Sequence, residues 1–243
     1  MKKAAMAMAA MLLILSLILC SCTTVSSTSS GLQNQDKDDE APIFSSYSKF
    51  VELKSSRFGS FTQKVYSSKE LALSAGSKLL SISAIDLDFL PLSLLQNAEK
   101  ADGSYSGNAK GYLNSVVTVN KNGNFDIEYD TYTGTKRESI YGSYNIDTGY
   151  MSCKKSVDGI VTSGLEYIPV ENGYVSQYRN FVTGEIVRIG FNNEQFGIAF
   201  YDGSEYIELD KVSTEAFLQG AVVEIVEKDG KLEANIDGEI ILT

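Results

Sequence analysis

The chain has 243 residues, 43% of them apolar and 21% charged, a balance that belongs to a globular protein and not to a disordered one. Its 31 acids against 21 bases leave a formal charge of −10. Residues 1–21 hold two lysines and no acid, so the remainder is more acidic still, and neither nucleic acid nor an anionic bilayer met through a basic patch is an expected partner. His is absent and Cys occurs only at 20, 22 and 153. That excludes Ser-His-Asp and Cys-His catalysis, His-ligated metals, Cys-rich zinc sites and an internal disulfide framework; no cofactor is expected.

The N-terminus opens with Met1-Lys2-Lys3 and continues as an apolar run from Ala4 to Leu19 broken only by Ser16. This is the layout of a secretory signal peptide, and it is marginal in length for a spanning helix. Leu19-Cys20-Ser21-Cys22 places Leu three residues before a Cys and a small residue directly before it. The segment resembles the lipobox of bacterial lipoproteins. The resemblance implies cleavage before Cys22, a diacylglyceryl group on its thiol and a third acyl chain such as palmitate on its amine, together a firm anchor. Cys20 fits this pattern less well, because Leu19 stands where a small residue belongs. An uncleaved anchor, or a secreted protein with an accidental Cys22, is the alternative.

Residues 22–43 read as a flexible polar tether, since Thr23 to Asp39 has almost no apolar side chain and cannot build a core. Thr23 stands where the resemblance would put an Asp for inner-membrane retention, so the expected address is the cell envelope, at the outer membrane, facing the periplasm or the surface. Residues 44–243 then form one expected domain.

The helical part is expected over about 61–100. Ser67-Ser68-Lys69-Glu70 reads as a capping box, and Leu71, Ala75, Leu79 and Ile82 follow on one stripe. This predicts a helix over 68–82. Asp88 before Phe89-Leu90-Pro91 predicts a second start, with Leu92, Leu94 and Leu95 continuing to Asn97. A strand over 82–89 competes, because that segment also alternates.

From about 104 to 243 the pattern is a β-meander. Asn122-Gly123, Asp158-Gly159, Asn172-Gly173, Asp202-Gly203, Asp229-Gly230 and Asp237-Gly238 are hairpin-turn dipeptides, with Asp147-Thr148-Gly149 and Thr183-Gly184 as weaker members. Between them run alternating strands: Phe125, Ile127 and Tyr129 against Asp126, Glu128 and Asp130; Val187, Ile189 and Phe191 against Arg188 and Gly190; Leu232, Ala234 and Ile236 against Glu233, Asn235 and Asp237. The expected fold class is mainly β: an antiparallel up-and-down meander, wet on one face, curled into a half-barrel or barrel with one or two N-terminal helices on its concave face. By this pattern residues 60–243 resemble the bacterial lipoprotein-carrier and lipoprotein-binding half-barrels of the LolA and LppX class, or, if closed, lipocalins.

Candidate chemistry is sparse. Asp86 with Asp88, the acids at 126, 128 and 130, or Glu205 with Glu208 could pair for glycoside hydrolysis, but a row of acids opposite Phe125 and Ile127 reads as a solvated face. Ser46 with Lys49 and Ser152 with Lys155 match S-x-x-K without its companion motifs. The Asn120–Asp126 segment lacks the ligands of a calcium loop, and Cys153 beside Met151 reads as a buried thiol. No catalytic or metal-binding residue is assigned. The expected activity is binding of a lipid, acyl chain or lipoprotein, with Phe125, Ile127, Val187, Ile189, Phe191 and Leu232 lining the concavity and Leu79, Leu90 and Leu94 as lid. The alternative is an adhesion module contacting protein or glycan through Tyr105, Tyr129, Tyr132, Tyr141, Tyr144, Tyr150 and Tyr178 on the outer sheet face. The membrane is a partner through the N-terminal lipid, nucleic acid is not one, and the oligomeric state is left open.

Overall fold

A computed structural model of the chain describes residues 42–94, 99–101, 104–108, 114–119, 124–130, 137–202, 209, 217, 218 and 220–243. The expected signal peptide, Cys22, the tether up to residue 41, the Asn122-Gly123 turn, Tyr132, Glu205 and Glu208 lie outside the described residues. So do the side chains of Leu94, Tyr105 and Tyr129.

Three helices come first: α1 (Pro42–Ser67), α2 (Lys69–Asp88) and the short α3 (Leu90–Leu94). The helical part therefore begins at Pro42 and not near 61. In α1 the residues Phe44, Tyr47, Phe50, Lys54, Phe61 and Val65 are buried, an i, i+3, i+7 stripe obscured by the many serines between. The segment 82–89 is helical, against the strand alternative. Ser68, not Ser67, caps α2: its hydroxyl accepts from the Leu71 amide, while the Ser67 hydroxyl donates back to Gln63 of α1. The stripe Leu71, Ala75, Leu79 and Ile82 is buried as expected. The expected second start is present at Leu90 of α3, with Pro91 in its first turn, while Asp88 itself ends α2, which leaves its carboxylate available to the sheet.

The strands are β1 (Glu99–Ala101), β2 (Ser104–Asn108), β3 (Asn114–Val119), β4 (Asn124–Asp130), β5 (Arg137–Tyr144), β6 (Met151–Val157), β7 (Ile160–Val170), β8 (Gly173–Asn180), β9 (Glu185–Phe191), β10 (Gln195–Asp202), β11 (Val223–Lys228), β12 (Lys231–Ile236) and β13 (Glu239–Leu242). They form one antiparallel sheet in sequence order, open, with β1 and β13 at its ends. The expected turns at Asp158-Gly159, Asp229-Gly230 and Asp237-Gly238 have both residues at positive φ, the mirror-image turn whose twist matches a hairpin.

A flat sheet from β4 to β13 would be about 43 Å wide, while two helices side by side cover about 20 Å. One continuous apolar cluster nevertheless runs from Phe125 on β4 to Ile241 on β13 and takes in both long helices. The sheet therefore curls around the helix pair. α1 lies obliquely across it: Ser46 meets Tyr167 on β7, and Lys64 pairs with Glu227 on β11.

The expected wet outer face is not wet over β8 to β10. Every residue from Gly173 to Tyr178, Ile186 to Phe191 and Phe196 to Tyr201 is buried. Asp202 ends β10, but the next strand, β11, begins only at Val223, and Gly203 lies outside the described residues. Residues 203–222 separate β10 from β11, and Leu209, Phe217 and Leu218 from this connection join Val175, Ile186, Ala199 and Tyr201 in a second apolar cluster on the outer face. Arg188 faces this layer and is buried, where a solvated side chain was expected.

Phe50 is the centre of the inner layer. Its ring stacks on Tyr167 at 4.7 Å, meets Tyr174 edge-on at 5.4 Å and lies 6.4 Å from Phe191. Phe50→Ala is expected to destabilise the fold by about 3–5 kcal/mol, and Phe50→Leu by much less, as read from the urea midpoint at constant m-value.

Candidate functional site at the helix-sheet interface

Seven of the nine expected ligand-binding residues come together in the concavity: Leu79, Phe125, Ile127, Val187, Ile189, Phe191 and Leu232 all belong to the inner cluster and are buried. Leu90 does not join them. It is exposed, because the turn at Phe89 points Phe89 and Leu92 inward in its place. The chain itself occupies the space these residues face: Phe191 is ringed by Phe50, Tyr174 and Phe196, and Phe61 meets Phe196 at 4.9 Å. The aromatic stripe of α1 was missed in the sequence, although its three- and four-residue spacing was there to read.

Polar groups enter this interface at the C-terminal end of α2. The Lys155 ammonium on β6 donates to Asp88 at 3.1 Å and pairs with Glu138 on β5 at 3.0 Å, while the Tyr178 hydroxyl on β8 donates to the other Asp88 oxygen at 3.1 Å. Two residues earlier, Asp86 pairs with the buried Lys54 of α1, whose ammonium also lies 5.3 Å from the Phe50 ring centre. Asp86 and Asp88 thus do not converge as a carboxylate pair: each is taken by a different lysine. Asp88 and Glu138 do converge, but on Lys155, which fills the place a substrate would need.

The two S-x-x-K pairs are split. Ser46 shares a hydrogen bond with Tyr167 while Lys49 is exposed. Ser152 donates to Glu166 on the outer face, whereas Lys155 is on the inner one. Asp126 is exposed, as a solvated acid should be. Cys153 is a free, buried thiol, and burial pushes its pKa up, away from nucleophile chemistry. Among the described residues no group of three His, Cys, Asp or Glu side chains is placed to hold a metal.

The tyrosines do not share one face. Tyr178 is buried on the inner side, Tyr144 packs against the inner cluster, Tyr150 packs against the outer one, and Tyr141 is exposed. A second polar knot that the sequence reading missed lies on the outer side. Arg188 donates from Nε to Gln177 at 2.9 Å and from Nη1 to the Phe217 carbonyl, and its guanidinium stacks 4.1 Å from the Tyr201 ring centre. Tyr201 donates to the same carbonyl at 3.2 Å, so the knot fastens the β10–β11 connection to the sheet.

Compared with known proteins, the chain matches no protein family, no curated protein and no solved structure.

Burial raises the phenols of Tyr47, Tyr167, Tyr174 and Tyr178 above the ordinary value near 10, with the Asp88 carboxylate adding to the effect at Tyr178. Burial alone would lower Lys155, but its hydrogen bonds and pairing with Glu138 and Asp88 outweigh that and hold it above 10.5. Both shifts act in one direction. Above pH about 10 the unfolded chain releases phenol and ammonium protons that the folded chain retains, so stability falls as pH rises. Alkaline titration is expected to show the buried phenols ionising only as the fold is lost, in one step seen by both phenolate absorbance and far-UV circular dichroism. Lys155→Met, which leaves two half-buried carboxylates without their cation, is expected to cost about 1–3 kcal/mol at neutral pH. Adding Asp88→Asn and Glu138→Gln should recover most of it.

Proposed function

We propose that this protein is a lipid-anchored component of a bacterial cell envelope that works by binding a partner and not by catalysis. The lipobox-like Leu19-Cys20-Ser21-Cys22 supports the anchor, and Thr23 after it supports the outer membrane as the destination. The observation that carries the mode of action is the filled concavity: the expected lining residues are packed against Phe50, Phe61, Tyr174 and Phe196 of the same chain. A solid core supports an interaction module that presents its exterior. A carrier of the LolA and LppX kind would have to move α1 off the sheet, breaking the Lys54–Asp86 and Lys64–Glu227 pairs along with the aromatic contacts.

Metabolic labelling with palmitate is expected to mark the wild type and leave Cys22→Ala unlabelled and released from the membrane fraction. Equal labelling of the two would overturn the anchor. A stoichiometric non-covalent lipid found by mass spectrometry of the gently extracted protein would restore the carrier reading in place of the interaction module.

A further inference from the structure

β13 is an edge of the open sheet, paired among the described residues with β12 alone. Leu232 and Thr243 exchange both of their backbone hydrogen bonds, and in an antiparallel ladder such pairs alternate with pairs that exchange none. With Ile241 opposite Ala234 and Glu239 opposite Ile236, the amides and carbonyls of Glu239, Ile241 and Thr243 point to β12. Those of Ile240 and Leu242 point away from it, out of the sheet edge, where no described strand meets them.

The same two residues are exposed through their side chains, Ile240 at 65% and Leu242 at 71% on the outer face, while Ile241 between them is buried in the inner cluster. Leu73, Leu80 and Leu87 on α2 are exposed too, but a helix satisfies its own backbone. On β13 the apolar side chain and the open hydrogen-bonding groups belong to one residue. Edge strands are usually blunted by Lys, Pro or a bulge, and after Glu239 this one has none of them. Its shortness is the one such device present, and that limits the strength of pairing.

We infer that β13 pairs with β13 of a second copy of this chain, antiparallel, about a two-fold axis at Ile241. In that register Ile240 of each copy lies opposite Leu242 of the other, and every outward amide of these residues meets an outward carbonyl. A register centred on Ile240 would instead set Leu242 against Gly238, which sits in a turn at a φ of +88°. The charges agree with the two-fold pairing. Across the join, a row on the outer face runs from Glu233 through Leu242 to Ile240 of the second copy and its Asn235, so an acid shares its row with an amide and not with another acid. Glu239 falls opposite Thr243, about 14 Å along the strand from the second Glu239 and beyond the Debye length of physiological salt. The other edge, β1, is three residues long and carries Glu99 and Lys100, a poor match for Ile240 and Leu242. A closed pair is therefore favoured over head-to-tail growth. One short strand from each copy buries less than the roughly 1,200 Å2 of a standard interface, so the dimer is weak and exchanges with monomer. The inference goes beyond the anchored interaction module, a reading that would survive its failure.

The test uses the full chain with detergent micelles in excess, mixing Ile240→Cys with Leu242→Cys under a mild oxidant. Opposed Cα atoms about 5.5 Å apart can be bridged, whereas two copies of residue 240, or two of residue 242, lie about 9 Å apart in this register and cannot. The expected product is a disulfide between 240 and 242, identified by mass spectrometry of the linked peptides, at about tenfold or more over the self-linked product of either variant alone. Sedimentation of the wild type is expected to show a monomer-dimer equilibrium at about 10 to 100 μM protein. Ile240→Lys with Leu242→Lys should stay monomeric there, with an unchanged far-UV circular dichroism spectrum, since both side chains are exposed in the monomer. Single variants that self-link as well as the mixture does overturn the pairing, as does a wild type that remains monomeric over this range. A dimer that survives the two lysines, or a mass that grows past two copies, assigns the contact to another surface and overturns it equally.

Discussion

Among the described residues, the sheet that runs in sequence order from β1 to β13 has no second sheet to cover it, and it does not close on itself. Its concave apolar face must find its partner elsewhere in the chain, and the aromatic stripe of α1 is that partner. Tyr47, Phe50 and Phe61 stand on the buried side of one helix and meet rings from β7, β8, β9 and β10. Because α1 crosses the strands obliquely, one helix reaches four of them, and α2 covers the part of the concavity that α1 leaves. Curvature, helix order and the register of the central strands all depend on this contact.

The outer face meets the same constraint over β8 to β10. Val175, Ile186, Ala199 and Tyr201 would be a wet apolar patch without Leu209, Phe217 and Leu218 above them. The fastening is polar. Arg188 is buried, so its charge must be stacked and hydrogen-bonded to be tolerated there, and the ring of Tyr201, the amide of Gln177 and the carbonyl of Phe217 meet that need. The central strands are thus covered by helices on one side and by Leu209, Phe217 and Leu218 on the other, which is why their burial shows no alternation.

The meander was legible in the sequence because its turns are local chemistry. An Asp-Gly pair accepts two positive φ angles whatever surrounds it, and the Asp158, Asp229 and Asp237 turns form as read. The stripe from Leu71 to Ile82 was legible for the same reason. What failed to show is what depends on contacts between distant residues. Arg188 alternates with Val187 and Ile189 like any solvated residue, and only the later Phe217 and Leu218 make it interior. Asp202-Gly203 has the composition of a hairpin but opens a long connection, since the apolar residues after it are needed on the outer face. The lining residues were picked correctly as inward-facing. Whether they bound a hollow or a core depended on α1, whose rings are spaced for a helix but diluted by serine.

The charges at the interface bear on function as much as the rings do. Lys54, Lys64 and Lys155 each take a carboxylate from a different element, Asp86, Glu227, and Asp88 with Glu138. Such pairs add little net stability over an apolar contact of the same volume, but they fix which face of each helix meets which strand. The concave surface is filled by the chain's own rings, and the two acids that converge there, Asp88 and Glu138, are partnered by Lys155. On the proposed reading of an interaction module, the partner is met on the outside.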